Sequence, residues 1–288
     1  MARPLRLEFE GAIYHICARG VARENIFVGD SDKTAFLKII DKVFGRFHWL
    51  CYAYCLMDNH YHLVVETREA NLSKGMRQLN GLWAQMFNSR NNSVGHVFQS
   101  RFFSHVIERE SYLLETLRYV ALNPVRAQVC KSPQEHKFSS YRQTAGLDRP
   151  DGLINIDWVL GQFSDARSQA TAGYRQFVKD GVGKESVFDD LKAGIFLGSD
   201  DFVAKHTLLL ADEKLLEIPR IQRPDPKPPI ENAFANRTKS GVAEGAYRAH
   251  VDWGYSMKQI ADHLRIHYST VSRAIKRYEN TPVDRDFA

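Results

Sequence analysis

Near the start of the chain, three short stretches are aromatic and apolar enough to be strands: residues 11–18 (Gly-Ala-Ile-Tyr-His-Ile-Cys-Ala), 49–57 (Trp-Leu-Cys-Tyr-Ala-Tyr-Cys-Leu-Met) and 60–66 (His-Tyr-His-Leu-Val-Val-Glu). Asp58-Asn59 separates the last two with turn chemistry, so the pattern predicts a hairpin there. Between the strands the period changes. Asp30-Ser31-Asp32 opens a helix with Phe36, Ile39, Ile40, Val43 and Phe44 on one face. A second helix over 72–88 carries Leu72, Met76, Leu79, Trp83 and Phe87 at helical spacings. A third over 109–123 is expected to stop at Pro124, because the residue before proline avoids the α region. Strands and helices interspersed without regular βαβ repetition predict an α+β domain, an antiparallel sheet with packed helices.

Beyond residue 147 the character changes. Residues 148–218 look mainly helical, with Trp158-Val159-Leu160, Tyr174 to Val178 and 202–210 apolar in helix-like steps. Pro219, Pro224, Pro226, Pro228 and Pro229, half of the ten prolines, then mark 219–237 as an extended linker. A short basic unit, 238–288, closes the chain. The expected division is therefore 1–147, 148–218, 219–237 and 238–288.

The chain has 288 residues, 44% of them hydrophobic, enough to furnish a real core and to exclude disorder over most of its length. No run of eighteen apolar residues appears, so no membrane partner is expected. The first residues lack the apolar stretch of a secretory signal, and four cysteines are too few for a disulfide scaffold, so a cytoplasmic location is expected. The formal net charge of +5 suits an anionic partner and equally suits a solvated surface.

Two constellations carry chemistry. On a strand, His60 and His62 point to one face with Cα atoms about 6.5–7 Å apart, so both imidazoles can converge on one divalent ion; the alternative is a pair of hydrogen-bonded surface histidines. Tyr61 points the other way, and Glu66 lies about 13 Å beyond His62, too far to ligate with it. Cys51 and Cys55 are about as far apart on their strand, which argues against a tetrahedral zinc site built from them. On the third helix, Tyr119 and Asn123 are one turn apart on one face. Asn123 offers a neutral oxygen suited to Mg²⁺ or Mn²⁺, or it caps the helix; Tyr119 places a phenol beside that ion, or it packs in the core.

Together, His60-Tyr61-His62 and the helix bearing Tyr119 and Asn123-Pro124-Val125-Arg126-Ala127 resemble the single-tyrosine HUH transposases, and more closely the REP-associated tyrosine transposases. Tyr14-His15-Ile16-Cys17-Ala18-Arg19-Gly20, Ile26-Phe27 and Val97-Phe98-Gln99-Ser100-Arg101-Phe102 match the same pattern, dense over roughly 1–145. Tyr61 stands where a smaller aliphatic residue or Met is usual, and strand alternation turns it away from the ion. The resemblance implies an HUH, ferredoxin-like fold and a metal-dependent enzyme that cleaves and rejoins single-stranded hairpin DNA through a covalent 5′-phosphotyrosine. It implies Tyr119 as nucleophile and His60, His62 and Asn123 around Mg²⁺ or Mn²⁺. It implies DNA contacts by Arg19, Arg101 and Arg118, with Arg23, Phe102 and Phe103 as further candidates and His15 in a core or surface role. Monomers are favoured over dimers by the same resemblance.

In the closing unit, residues 255–264 followed by 265–275 look like a helix-turn-helix. Ile260, Ala261, Leu264, Ile266, Val271 and Ile275 form its buried triangle, and Arg265 stands where a turn glycine often sits. Tyr268, Ser269, Thr270 and Arg273 begin the recognition helix, with Lys276 and Arg277 reaching phosphates or base edges. A second reading of the whole chain is a catalytically silent DNA-binding regulator that uses both parts for recognition alone.

Overall fold

The structure is a computed structural model that describes residues 7–207, 228–234, 238–253, 255 and 257–279. It divides into two compact units, Arg6–Val203 and Ala204–Ala288.

The first unit opens with β1 (Ala12–Arg19), α1 (Asp30–Phe47), β2 (Trp49–Leu56), β3 (His60–Thr67), α2 (Leu72–Asn91) and β4 (Phe103–Ile107). This βαββαβ order, with the strands arranged β2-β3-β1-β4, is the ferredoxin-like α+β arrangement. All pairings among these four strands are antiparallel. Alternation sorts each strand between two faces. Tyr14, Ile16, Tyr61 and Leu63 are fully buried on one face, where Phe36 of α1 stands 5.0 Å from the Tyr61 ring and 5.3 Å from Trp83 of α2. Each such side chain contributes roughly 1.5–3 kcal/mol on burial. The polar tips of these aromatics are paired: Tyr61 donates to Asn80 Oδ1, and Trp83 Nε1 donates to the Ile26 carbonyl. The other face carries His15, His60, His62, Glu66 and His105, and α3 (Arg109–Arg126) lies across it.

Three features depart from the periodicity. The third helix runs through Pro124 to Arg126 instead of stopping at Asn123. Pro124 is itself buried, and bonds from Ala127 to Asn123 and from Val129 to Pro124 hold the last turn, so packing overrides the pre-proline bias. A bulge shifts the β2–β3 register between Cys51 and Ala53, and the Tyr52 hydroxyl between them donates to Glu66. Finally, the stretch after residue 147 is not purely helical. After α4 (Tyr141–Thr144), α5 (Ile156–Gly161) and α6 (Arg167–Lys179) comes β5 (Phe196–Leu197), which joins the main sheet parallel to β4. Two residues without alternation carry no periodic signal, so this strand is invisible before its partner is known. α7 (Asp200–Thr207) follows; the rest of the expected helix to residue 210, and the linker apart from 228–234, lie outside the described residues.

The second unit contains α8 (Lys239–Tyr247), α9 (Met257–Leu264) and α10 (Tyr268–Glu279). Ile260, Ala261, Val271 and Ile275 form the expected centre of its core, joined by Ala246, Ala249 and the end of the expected linker, Ala233 and Phe234. Ile266, expected inside, is 37% exposed, because it lies in the turn rather than on either helix. Arg265 adopts φ +54°, the left-handed conformation for which glycine is favoured.

Within α2, Gly75 lies against the Trp49 indole, whose atoms would stand 2.3 Å from an added Cβ. Trp49 is buried and donates to Asn71 Oδ1, so it has no room to retreat. Gly75→Ala is expected to destabilise the first unit by about 1–3 kcal/mol, the usual cost of overpacking, despite its gain in helix propensity. Denaturant unfolding monitored by tryptophan fluorescence measures it.

Candidate active site

The site is assembled where α3 crosses β3, and two matched lengths place it. From Glu66 back to His62 the strand spans about 13 Å. From Arg109 forward to Tyr119 the helix spans about 15 Å. The Arg109 guanidinium donates to Glu66 Oε2 at 2.5 Å and to the Tyr52 hydroxyl at 3.0 Å, which fastens the start of the helix to the far end of the strand. Ten residues on, the Tyr119 ring stands edge-on to His62, with centroids 6.0 Å apart.

His60 and His62 share the face as alternation requires, with ring centroids 5.0 Å apart and planes nearly perpendicular. His62 is buried and accepts or donates at Nδ1 with His15 Nε2, 2.8 Å away. Its Nε2 is buried with no hydrogen-bond partner among the described residues. His60, half-buried, has its Nδ1 2.6 Å from Asn59 Oδ1. Asn123 is buried on α3, close enough to His60 and Tyr119 to act on the titration of both, yet its Oδ1 also has no partner among the described residues. Two buried polar atoms left unsatisfied beside one half-buried imidazole is a costly arrangement for a protein to keep, unless something else fills their valences.

Electrostatics agree with a dry cluster. Burial pushes His62 down to about 3, helped by His60, Arg19 and His105. His60 falls to about 4 through burial and then Arg19, while Asn123 works against the shift. His105 falls to about 4 through burial, and His15 is held well below the usual range by burial and its two imidazole neighbours. Burial raises the Tyr119 phenol above its ordinary value, and Arg126, whose guanidinium lies 5.4 Å from the ring centroid, pulls it back down. Among the described residues no three His, Cys, Asp or Glu side chains gather as a metal site, and the set assembled here, two histidines and an asparagine, is of another composition. Two imidazoles and a neutral amide oxygen are together a donor set that a divalent cation can accept.

The other expected residues are distributed as follows. Arg19 is exposed at the end of β1, opposite His60 in register, and with Arg23, Asn59 and His60 it lines an open cleft. Arg101 is exposed in the loop before β4. Phe103 is 54% exposed on the histidine face, opposite Cys17. Arg118 does not face the histidines: it pairs with Glu115 and stacks on Phe177 of α6, with its guanidinium 4.5 Å from the ring centroid. One residue is about 100° around a helix, so Arg118 faces α6 when Tyr119 faces the sheet. In the second unit Tyr268, Thr270, Arg273, Lys276 and Arg277 are exposed on α10, Ser269 is half-buried, and the Arg273 side chain bonds back to the Ser269 carbonyl. Sequence reasoning missed His105, Arg126 and Phe188. Phe188, in a 3-10 turn at Val187–Asp190, has its ring 4.7 Å from Tyr119, 4.6 Å from His15 and 5.1 Å from His105. Arg126 holds that segment by donating to the carbonyls of Lys184 and Glu185. None of the three had a trace in the pattern, because the strand that carries His105 was not among those expected and its register with β1 is known only from the structure.

Residues 8–123 match the family model described as Transposase IS200 like, and residues 245–282 match that of a homeodomain-like domain. The first unit is thus similar to the IS200-like transposases over residues 8–123, and the segment 245–282 is similar to homeodomain-like domains. It is also similar to a solved structure described as the REP-associated tyrosine transposase bound to a REP hairpin, with 19% identity, coverage of 55% of this chain and 91% of that one, and a TM-score of 0.45. No curated protein matches. No helix among the described residues is long and apolar enough to cross a membrane.

The four histidines also give the metal-free protein a pH signature. Their folded values lie below the ordinary 6.5, so between about pH 6.5 and 4 the unfolded chain binds more protons than the folded one. Stability is complete above 6.5 and falls as acid is added, by up to about 1.4 kcal/mol per pH unit for each histidine. Thermal melts of metal-free protein from pH 7 to 4 should show Tm falling over this window, with a shallower fall in His105→Gln.

Proposed function

We propose that this chain is a DNA-strand transferase that cuts and rejoins single-stranded, hairpin-bearing DNA, with Tyr119 as nucleophile. The observation that carries the reading is the Tyr119 ring lying against His62, while His62 Nε2 and Asn123 Oδ1 have no hydrogen-bond partner among the described residues. His60, His62 and Asn123 would hold the divalent ion. When bound, Mg²⁺ or Mn²⁺ supplies charge neutralisation at the phosphate being attacked.

The chain's own residues do the rest. Tyr119 Oη forms a bond to the scissile phosphorus as the bond from phosphorus to the 3′-oxygen breaks. The phenolic proton leaves, and the departing oxygen takes up a proton to become a 3′-hydroxyl. The phosphotyrosine keeps the phosphodiester's energy, so a 3′-hydroxyl can reverse the step and join strands. Arg126 beside the ring favours the phenolate that attacks. α3 and its anchor at Glu66 keep the ring in place, so that attack proceeds from a held geometry. Arg19 and Arg23, in the cleft beside His60, and Arg101 offer guanidinium groups to the phosphates flanking the break.

The homeodomain-like unit supports a second contact with DNA. Its α10 presents Tyr268, Thr270, Arg273, Lys276 and Arg277 as a basic, partly aromatic face suited to a duplex groove. Lys276→Ala should weaken duplex binding at low salt, with the slope of log K against log salt reduced by about one, as for the loss of a single phosphate contact.

Incubation of the full chain with hairpin-bearing oligonucleotides and Mn²⁺ should give a covalent protein–DNA adduct on denaturing gels. Tyr119→Phe should abolish it while leaving hairpin binding intact, and Asn123→Ala should raise the Mn²⁺ concentration needed. An adduct surviving in Tyr119→Phe moves the nucleophile elsewhere. No adduct with any hairpin tried, alongside retained DNA binding, favours the silent regulator.

A further inference from the structure

Behind the two histidines that face the proposed ion lies a third that nothing in the strand-transfer chemistry uses. His15 stands in the middle of β1, 3% exposed, between β3 and β4. Its Nε2 is 2.8 Å from His62 Nδ1, and its Nδ1 is 3.4 Å from His105 Nδ1. The planes of the His15 and His62 rings are 19° apart and those of His15 and His105 11° apart, close to the coplanarity that in-plane N–H···N bonds require. Phe188 covers the His15 and His105 rings. The result is a file of three imidazoles running across adjacent strands, from His105 on β4 through His15 on β1 to His62 on β3.

The direction of these bonds follows from His62 Nε2, which is buried with no hydrogen-bond partner among the described residues. A neutral imidazole has one N–H and one lone pair, and a metal ligand must present the lone pair. In His62 the unpartnered atom is Nε2, so the hydrogen belongs on Nδ1 and is donated to His15 Nε2. The hydrogen of His15 then lies on Nδ1 and points toward His105 Nδ1. Each ring thereby dictates the tautomer of the next.

We propose that His15 is a positioning residue that locks His62 in its Nδ1–H tautomer and ring orientation, with His105 completing the file, and so prepares Nε2 to ligate a divalent cation. The inference rests on the metal-dependent reading above, but its tautomer claim concerns the metal-free protein as well. A histidine ligand held through its other nitrogen is both oriented and made more basic, and loss of such a partner weakens metal binding by about 10- to 100-fold. Phe188 gives the segment after α6 a place in this arrangement, as the cover that keeps water off the His15–His105 pair.

Two measurements on the full chain test it. Imidazole ¹⁵N spectra of the metal-free, labelled protein should show His62 protonated at Nδ1. Calorimetric titration with Mn²⁺ should give an affinity weakened about 10- to 100-fold in His15→Phe, which fills the space without a hydrogen bond, at a thermal midpoint showing that the variant is folded. His15→Gln, whose amide oxygen can accept from His62 Nδ1, should recover part of the loss. Wild-type affinity in His15→Phe, or His62 protonated at Nε2 in the native protein, overturns the proposal. If the native protein binds no Mn²⁺ at all, the strand-transfer reading fails, and the His62 tautomer alone decides this inference.

Discussion

The carboxylate of Glu66 is the fixed point of the N-terminal unit. It lies on the histidine face of β3, four residues from His62, and it receives the guanidinium that begins α3 together with the Tyr52 phenol that a bulge turns toward it. The pair is largely shielded from solvent, with the Glu66 side chain 15% exposed, so it is not the screened surface contact that contributes little. Arg109 also lies over the Tyr52 and Trp158 rings, which ties the same corner to α5. Because strand and helix leave this corner in matched lengths, a contact made at one end of β3 decides what stands over the other.

What stands there is a cluster in which burial does most of the electrostatic work. Imidazoles packed this closely would repel one another if charged, and desolvation keeps them neutral instead. Neutral rings are also the form that binds metal, so the condition that favours a dry core is the one a ligand set needs. The phenol is treated differently: burial resists its ionisation, and Arg126, two turns along the same helix, opposes burial. That opposition exists only because α3 continues through Pro124. A helix ending at Asn123 would have left Arg126 without this place over the ring.

The segment after residue 147 belongs to the same construction. β5 extends the sheet beside β4, Ser199 bonds to Glu108 just ahead of α3, and the Val187–Asp190 turn sets Phe188 between Tyr119 and two histidines. Arg118 shows the same economy of direction. Its neighbour on the helix faces the imidazoles, while it faces α6, where Phe177 and the close approach of Gly181 leave it a packing role.

Much of this was legible in one dimension. Alternation put His60 and His62 on one face and Tyr61 on the other, and a spacing of four put Tyr119 and Asn123 together on a helix. Turn chemistry at Asp58-Asn59 and the helical periods of α1 and α2 marked the elements around them. These are local consequences of backbone geometry, and a residue's own neighbours in sequence suffice to reveal them. The file His62–His15–His105, the cover by Phe188, the reach of Arg126, the strand β5 and the inward turn of Ala233 and Phe234 were not legible. Each depends on strand register or on packing between segments tens of residues apart, and a hydrogen bond or ring contact across such a gap leaves no periodic trace in the chain that makes it.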